Sequence, residues 1–512
     1  MAALEGSAPK PAIAFVGFMG AGKSRAAKGA AAVLGERVVD LDRELERELG
    51  APVAEVFERE GEARFREVEE RLTLEALDEG GVVALGGGAV SSGRVREALG
   101  HSFPVWCRIT EEAAWARCEG TERPLALDRD EFRRRFSERQ PLYESVARAV
   151  LTDGGERVAR LAAPWLRGAA SLEGSRLAWA ASSSGEYPAI VADGALGLIG
   201  GDRRWFCVAD SGALAHQRDR LPSVETVVEA GGDERVKTLS EVERVLRELA
   251  RGGARRDDGV LAFGGGVVGD LAGFCAATYQ RGVPVVQAPT TLVAQVDSAY
   301  GGKTGVDLPE AKNYAGVYHM PHAVLAEPGA LASLPREEMA AGFAEVVKTA
   351  LIAGGSLWDR VRGLESLDDA SLRDVVFDCA RTKIDVVAAD ERDSGRRQVL
   401  NLGHTVGHAI EAASEYGRYR HGEAVALGLI AALRISGAES LRAEVEALLA
   451  RHDLPVRLDP SIALSGVVEA LAYDKKADSE GVRFVLIERP GEPVTGARVD
   501  AAIVRSAVEE LT

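Results

Sequence analysis

The chain has 512 residues, 46% hydrophobic and 28% charged, with a formal net charge of −17; this excludes a disordered chain, and the length predicts about three domains. The acidity excludes nucleic acid or an anionic membrane as a main partner, because both repel it, so an anionic substrate must be met by locally placed Lys and Arg. Five scattered cysteines with no C-x-x-C pair exclude a disulfide framework or a thiolate zinc site, and no apolar run reaches the ~18 residues of a membrane span. The expected location is the cytoplasm.

The apolar run from Ile13 to Val16 leads into a glycine-rich loop and an Ala-rich segment stopped by Gly35, the strand, loop, helix order of an α/β unit. Further strands are expected at 37–39, 81–85 and 103–109, giving a first domain over 1–168 with a parallel sheet and helices on both faces. Small polar residues predict a linker at 169–175, and a Ser-rich stretch follows at 182–185. Strand-like runs at 205–209, 224–229, 260–263 and 283–288 alternate with helix-length segments such as 239–251. They predict a Rossmann-like α/β domain over 176–328. From 329 to 512 the periodicity becomes helical, at 337–352, 371–389 and 423–435, predicting a mostly α-helical domain.

Gly17-Phe18-Met19-Gly20-Ala21-Gly22-Lys23-Ser24 satisfies G-x-x-x-x-G-K-[ST] between a strand and a helix, the context in which that pattern cradles nucleotide phosphates. Backbone N–H groups freed by Gly17, Gly20 and Gly22 hold phosphates, Lys23 neutralises the transferring group, and Ser24 ligates magnesium. Asp40 and Asp42 stand one residue apart after the next strand, so an extended segment can aim both carboxylates at the phosphate site. Arg66, the glycines 86–88 and Arg139 make a carboxylate clamp, since guanidinium binds carboxylate bidentately and glycine admits backbone N–H groups. Over roughly 11–168 this order of motifs resembles shikimate kinase. The resemblance implies that ATP with Mg2+ is bound by Lys23, Ser24 and Asp40, and that Asp42, Arg66, Gly87, Gly88 and Arg139 hold shikimate. It also implies that Asp42 faces the attacking hydroxyl and that Arg123 is a lid arginine. Arg25 stands where the family usually has Thr, and the stretch from Arg123 to Arg139 is a few residues short.

In the second half, Gly264-Gly265-Gly266 follows a strand and suits a pyrophosphate at a helix N-terminus. Three of the chain's eight histidines fall at 404, 408 and 421; on a helix His404 and His408 share one face. With Glu345, they form a nitrogen and carboxylate set without thiolate, suited to a catalytic zinc. Lys348 shares a helix face with Glu345 at i, i+3.

Over roughly 176–512 the combination resembles 3-dehydroquinate synthase. The resemblance implies Zn2+ or Co2+ on Glu345, His404 and His421, and NAD contacts from Asp210, Glu234, Lys237, Gly265, Gly266, Val267, Asp270, Thr290, Thr291, Lys303, Lys312 and Ser333. It assigns substrate contacts to Arg281, Asp297, Lys303, Asn313, Lys348, Lys383, Arg397, Asn401 and His408, with one lysine of the Lys475-Lys476 pair. Lys303, Lys348 and His408 would assist the chemistry: transient oxidation by NAD, loss of phosphate, re-reduction by the same cofactor and an aldol closure.

The fold and function expected are therefore a P-loop kinase fused to an NAD- and zinc-dependent cyclase of the shikimate pathway, dimeric through the second half, with small anionic substrates. Two readings compete. A polyol dehydrogenase would share the second architecture, but a neutral polyol needs no cluster of lysines at 303, 312, 348 and 383. A nucleotide-dependent regulatory module would share the P-loop, but not Arg66 and Arg139.

Overall fold

Ile13–Val16 is buried at every position, as are Val82–Ala84 and nearly all of Phe103–Arg108, the pattern of strands covered on both faces of a parallel sheet. In this computed structural model, which describes residues 10–119, 128–152, 154–367, 369–415, 417–473 and 482–512, the chain forms two compact units, Met1–Trp179 and Ala180–Thr512.

In the first unit, Ile13–Val16 pairs in parallel with Val82–Ala84 on one side and Phe103–Arg108 on the other. Val38–Asp40 extends one edge, while Ala149–Thr152 and then residues 177–179 extend the other. The strand order reverses at Ile13–Val16, so the loop that follows it opens at the sheet's switch point, where α/β folds bind ligands. The expected linker is the end of helix Glu156–Ala170 followed by a turn.

The second unit repeats the principle with other strands. Gly185–Val191, Ala323–Ala326, Val285–Pro289, Gly259–Gly264, Trp205–Asp210 and Thr226–Ala230 lie side by side, all parallel. Helix Leu239–Arg251 buries Val242, Val245 and Leu249, the i, i+3, i+7 stripe of an amphipathic helix, among Phe206, Val208 and Val260. Lys303–Leu308 and Ala311–Tyr318 leave the sheet as an antiparallel hairpin.

Beyond Pro335 the chain is helical, with Arg336–Ala353, Asp369–Ala389, His404–Ala413 and His421–Ile435, and a short hairpin pairs Arg483–Ile487 with Pro493–Arg498. Arg336–Ala353 and His421–Ile435 are buried on almost every side, as befits core helices. Helix His421–Ile435 is approached closely on two sides: a Cβ on Gly422 would stand 1.8 Å from Ala341 O of helix Arg336–Ala353, and one on Gly428 2.0 Å from the O of Gly403, the N-cap of helix His404–Ala413. Among the described residues no helix is long and apolar enough to cross a membrane.

Candidate active sites

In the first unit the strand Ile13–Val16 runs into the glycine loop, and Gly22, at φ 85°, is the N-cap of helix Lys23–Leu34. No side chain caps that helix, so its first N–H groups and its dipole present an anion site. A Cβ on Gly17 would stand 2.7 Å from Cys107 O, which bars a side chain there. Lys23 is buried and donates from Nζ to Phe18 O at 3.2 Å, folding its charge over the loop.

Gly86 to Gly88 leave the end of Val82–Ala84 and meet this loop. A Cβ on Gly87 would lie 3.8 Å from Lys23 Nζ, one on Gly86 3.4 Å from Asp42 Oδ1, and one on Gly88 2.1 Å from Arg66 Nη1. Arg139 Nη1 donates to Gly87 O at 3.3 Å, and Tyr143 Oη donates to the same oxygen at 2.5 Å. Lys23, Asp42, Arg66 and Arg139 therefore converge on one glycine stretch.

Asp40 and Asp42 do not share an extended segment. Asp40 closes strand Val38–Asp40, and Asp42 lies in the first turn of helix Leu41–Leu49, where a carboxylate suits the dipole. Asp40 stands 3.8 Å from both Lys28 Nζ and Arg43 Nε. Arg123 lies outside the described residues.

Sequence reasoning missed Glu69, which is 3% exposed and accepts from Arg66 Nη1 at 2.5 Å. Burial raises its pKa, against the pull of Arg66. Its i, i+3 spacing from Arg66 was the available signal.

In the second unit, a cleft of about 990 Å³ opens at the carboxyl ends of the parallel strands. It is lined by Asp210, Glu234, Lys237, Gly265, Gly266, Val267, Asp270, Thr290, Thr291, Lys312 and Ser333, together with Asn313 and His408. Its size and position suit a dinucleotide. Gly232 makes room for Asp210: a Cβ there would stand 2.1 Å from Asp210 Oδ2. Lys237 donates to Asp270 Oδ2 at 3.0 Å and to Asn313 Oδ1 at 2.6 Å. Burial lifts the pKa of Asp270 to about 6 even with Lys237 beside it.

A second cleft of about 620 Å³ shares Asp270, Asp297, Ser298 and Asn313 with the first and collects Lys303, Lys348, Lys383, Arg397, Asn401 and His404. Of the expected cofactor contacts, Lys303 alone lines this cleft and not the first. Asp297 sits in a π-helical turn, Ala294–Ser298, pairs with Lys383 and lies 3.9 Å from Lys348 Nζ. Burial lowers the pKa of Lys383.

Arg397, 2% exposed, is held by backbone carbonyls, Glu391 O at 2.7 Å and Gly301 O at 3.4 Å. That hold leaves its charge for a ligand. Arg281, at φ 72°, lines neither cleft, and Lys475 lies outside the described residues. Asp393, unpredicted, pairs with Lys303 at the rim of the basic cleft.

Glu345, His404 and His421 bring one ligand atom each to within 4.8 Å of one another. His404 Nε2 and His421 Nε2 stand 3.5 and 3.3 Å from Glu345 Oε1. Glu345 is fully buried, and no donor meets hydrogen-bond geometry at its Oε1. An orphaned carboxylate oxygen facing two imidazole nitrogens fits a divalent cation. Burial opposes the charge on Glu345, but Lys348 and the two histidines outweigh it and hold its pKa well down. Burial lowers the pKa of His404. His421 behaves oppositely: burial is overcome by Glu345 and Glu411, and its pKa rises to about 10. His408 faces the nucleotide cleft, its ring 5.3 Å from that of His404.

A 3-dehydroquinate synthase from Halorhodospira halophila is 42% identical over 353 residues, covering 65% of this chain and 99% of that protein. The chain belongs to the 3-dehydroquinate synthase family. The family models for the N-terminal and C-terminal parts of 3-dehydroquinate synthase match residues 226–341 and 342–477, and the shikimate kinase model matches 19–167.

A second 3-dehydroquinate synthase, from Gloeobacter violaceus, is 44% identical over 287 residues, 54% of this chain and 79% of that protein. Among solved structures, ValA, the 2-epi-5-epi-valiolone synthase of Streptomyces hygroscopicus, with NAD+ and Zn2+ bound, is 26% identical with a TM-score of 0.58. It covers 65% of this chain and 98% of that one. A 2-deoxy-scyllo-inosose synthase is 25% identical, with a TM-score of 0.57 over 66% of this chain and all of that one. Membership in the synthase family displaces the polyol dehydrogenase reading, and the kinase match displaces the regulatory module.

Proposed function

We propose that the second unit converts 3-deoxy-D-arabino-heptulosonate 7-phosphate to 3-dehydroquinate and phosphate, and that the first transfers the γ-phosphoryl group of ATP to shikimate. The observation that carries this is the junction in the second unit. There a dinucleotide cleft meets a basic cleft at Asp270, Asp297 and Asn313, with the Glu345, His404 and His421 set beside it. When bound, NAD supplies a reversible hydride acceptor, and zinc or cobalt supplies a Lewis acid that acidifies an alcohol.

The protein's own groups do the rest. Arg397, Lys303 and Lys383 take the carboxylate and phosphate of the substrate, which explains a cationic cleft in an acidic chain. Lys348, tied to Asp297 and Glu345, is kept protonated against its burial by those carboxylates and can hold a proton at the reacting carbon skeleton. His408, one turn from His404 on the nucleotide side, binds phosphate or moves a proton, and Asn401 and Asn313 orient hydroxyl groups. In the first unit, Lys23 takes the developing phosphoryl charge, Ser24 and Asp40 serve magnesium, and Arg66 and Arg139 hold the carboxylate. Asp42 then faces the hydroxyl, and Arg123 serves as the lid arginine.

We further read the protein as cytoplasmic, consistent with its five free, buried cysteines. We read it as a homodimer, in which Arg281, left out of both clefts of its own chain, would serve a second copy. Light scattering at micromolar concentration checks the assembly.

The test of the activities is a pair of assays on the full chain: the seven-carbon phosphate with NAD and zinc, and shikimate with ATP and magnesium. Both products are expected, and absence of both sinks the reading. Lys23→Ala should abolish only the kinase step and His404→Ala only the cyclisation; loss of both from either change would show that the roles are wrongly divided.

A further inference from the structure

Glu411 belongs to no motif of the expected sites, yet its carboxylate is buried, at 6% exposure. Removing a carboxylate from water is costly unless a partner compensates. The partner is the first residue of the next helix: Glu411 Oε1 lies 3.2 Å from His421 Nδ1. Glu411 lies seven positions after His404 on helix His404–Ala413, a spacing that returns to the same face after two turns. Both therefore face His421.

A neutral imidazole carries one N–H and one lone pair. A carboxylate only accepts, so Glu411 takes the Nδ1–H of His421 whether the ring is neutral or protonated, and a cation that displaces the second proton would meet the lone pair of Nε2, the atom 3.3 Å from Glu345 Oε1. His404 is arranged the same way, Nδ1 3.2 Å from Leu402 O and Nε2 toward Glu345. The two rings differ in what else restrains them. The His404 side chain is 11% exposed and packed, whereas that of His421 is 42% exposed, so packing alone does not set its rotamer.

We infer that Glu411 is a positioning residue for the metal centre, holding the tautomer and ring orientation of His421 and making its Nε2 a stronger donor. Carboxylate partners of ligating histidines act in this way, and their loss weakens metal affinity by about 10–100-fold. The inference rests on the assignment of the metal to Glu345, His404 and His421.

The test uses the full-length protein and the variants Glu411→Ala and Glu411→Gln. Zinc affinity is measured by competition with a chromophoric chelator, the visible spectrum is recorded on the cobalt-loaded forms, and melting is followed with and without metal. Glu411→Ala should bind zinc about 10–100-fold more weakly, with an altered cobalt spectrum and a metal-free melting temperature no lower than that of the parent. Glu411→Gln, which keeps an acceptor oxygen but not the charge, should fall between the two and decides the matter if the alanine variant does not fold.

Unchanged affinity and spectrum in the variants would overturn the inference. So would a lowered metal-free melting temperature that accounts for the loss, or weakened NAD binding with zinc binding intact. The parent protein should take up one zinc per chain; a second equivalent lost with Glu411 would make Glu411 a ligand, alongside His408 and His421. A parent chain that binds no zinc at all would remove the metal assignment itself, a failure distinct from variants that bind like the parent.

Discussion

Arg397 shows how one side chain acquires a role from its surroundings. Its guanidinium is buried yet held by the carbonyls of Glu391 and Gly301, so an anion entering the basic cleft meets a charge that is placed but not neutralised. Arg397→Lys keeps the charge and loses the planar fork. It should raise KM for the seven-carbon phosphate by about tenfold or more, the loss of roughly 1.4 kcal/mol of binding, with a smaller effect on kcat. A variant with unchanged KM in steady-state assays would remove Arg397 from substrate binding. Lys23 was legible because the glycine-loop motif carries unusual chemistry at fixed spacing, whereas Arg397 was expected only from the resemblance to 3-dehydroquinate synthase. Glu69 and Glu411 were not legible, because a carboxylate on a helix is ordinarily a solvated residue, and only burial against Arg66 and His421 distinguishes these two.

Elements set the distances that the residues exploit. Helices Arg336–Ala353, His404–Ala413 and His421–Ile435 bring Glu345, His404 and His421 together because Gly422 and Gly428 let backbones touch. Gly428→Ala should force His421–Ile435 away from Gly403, destabilise the second unit by about 1–3 kcal/mol and lower zinc uptake, read by denaturant melts and metal analysis. Native zinc content would show that this contact does not set the ligand spacing.

The Ser-rich stretch at 182–185 is the turn between strands Arg176–Ser182 and Gly185–Val191. Its Ser183 and Ser184 donate to Glu391, whose backbone carbonyl holds Arg397. The Ser183 and then Ser184 hydrogen bonds depress the Glu391 pKa to about 2. A depressed carboxylate stabilises the folded state above the ordinary carboxylate range, and that stability is lost as pH falls toward the depressed value. Glu391→Gln should therefore cost about 1 kcal/mol at pH 7, a difference that shrinks between roughly pH 5 and pH 2. A gap independent of pH would mean that the charge of Glu391 contributes nothing. Helical periodicity at 239–251 and 423–435 disclosed the helices there, whereas the serines read only as flexible polar residues, since what they bind lies some two hundred positions away.

At the scale of the whole molecule, two α/β units place their loops at strand ends for different nucleotides, and the strand and helix alternation that made this legible is local to each unit. The chemistry of the two reactions constrains their coupling. The second unit releases 3-dehydroquinate, a cyclic ketone, while the first requires a ring already dehydrated and reduced to shikimate. Purified chain given the seven-carbon phosphate, NAD, zinc, ATP and magnesium should accumulate 3-dehydroquinate and inorganic phosphate and leave ATP unconsumed. Adding shikimate should start ATP consumption at the same rate whether or not the cyclisation is running. ATP use in the first mixture would mean that the kinase unit accepts 3-dehydroquinate, and a rate that depends on cyclisation would mean that the units communicate. Either result would overturn the view that fusion joins two independent catalysts whose order along the chain is the reverse of their order in the pathway.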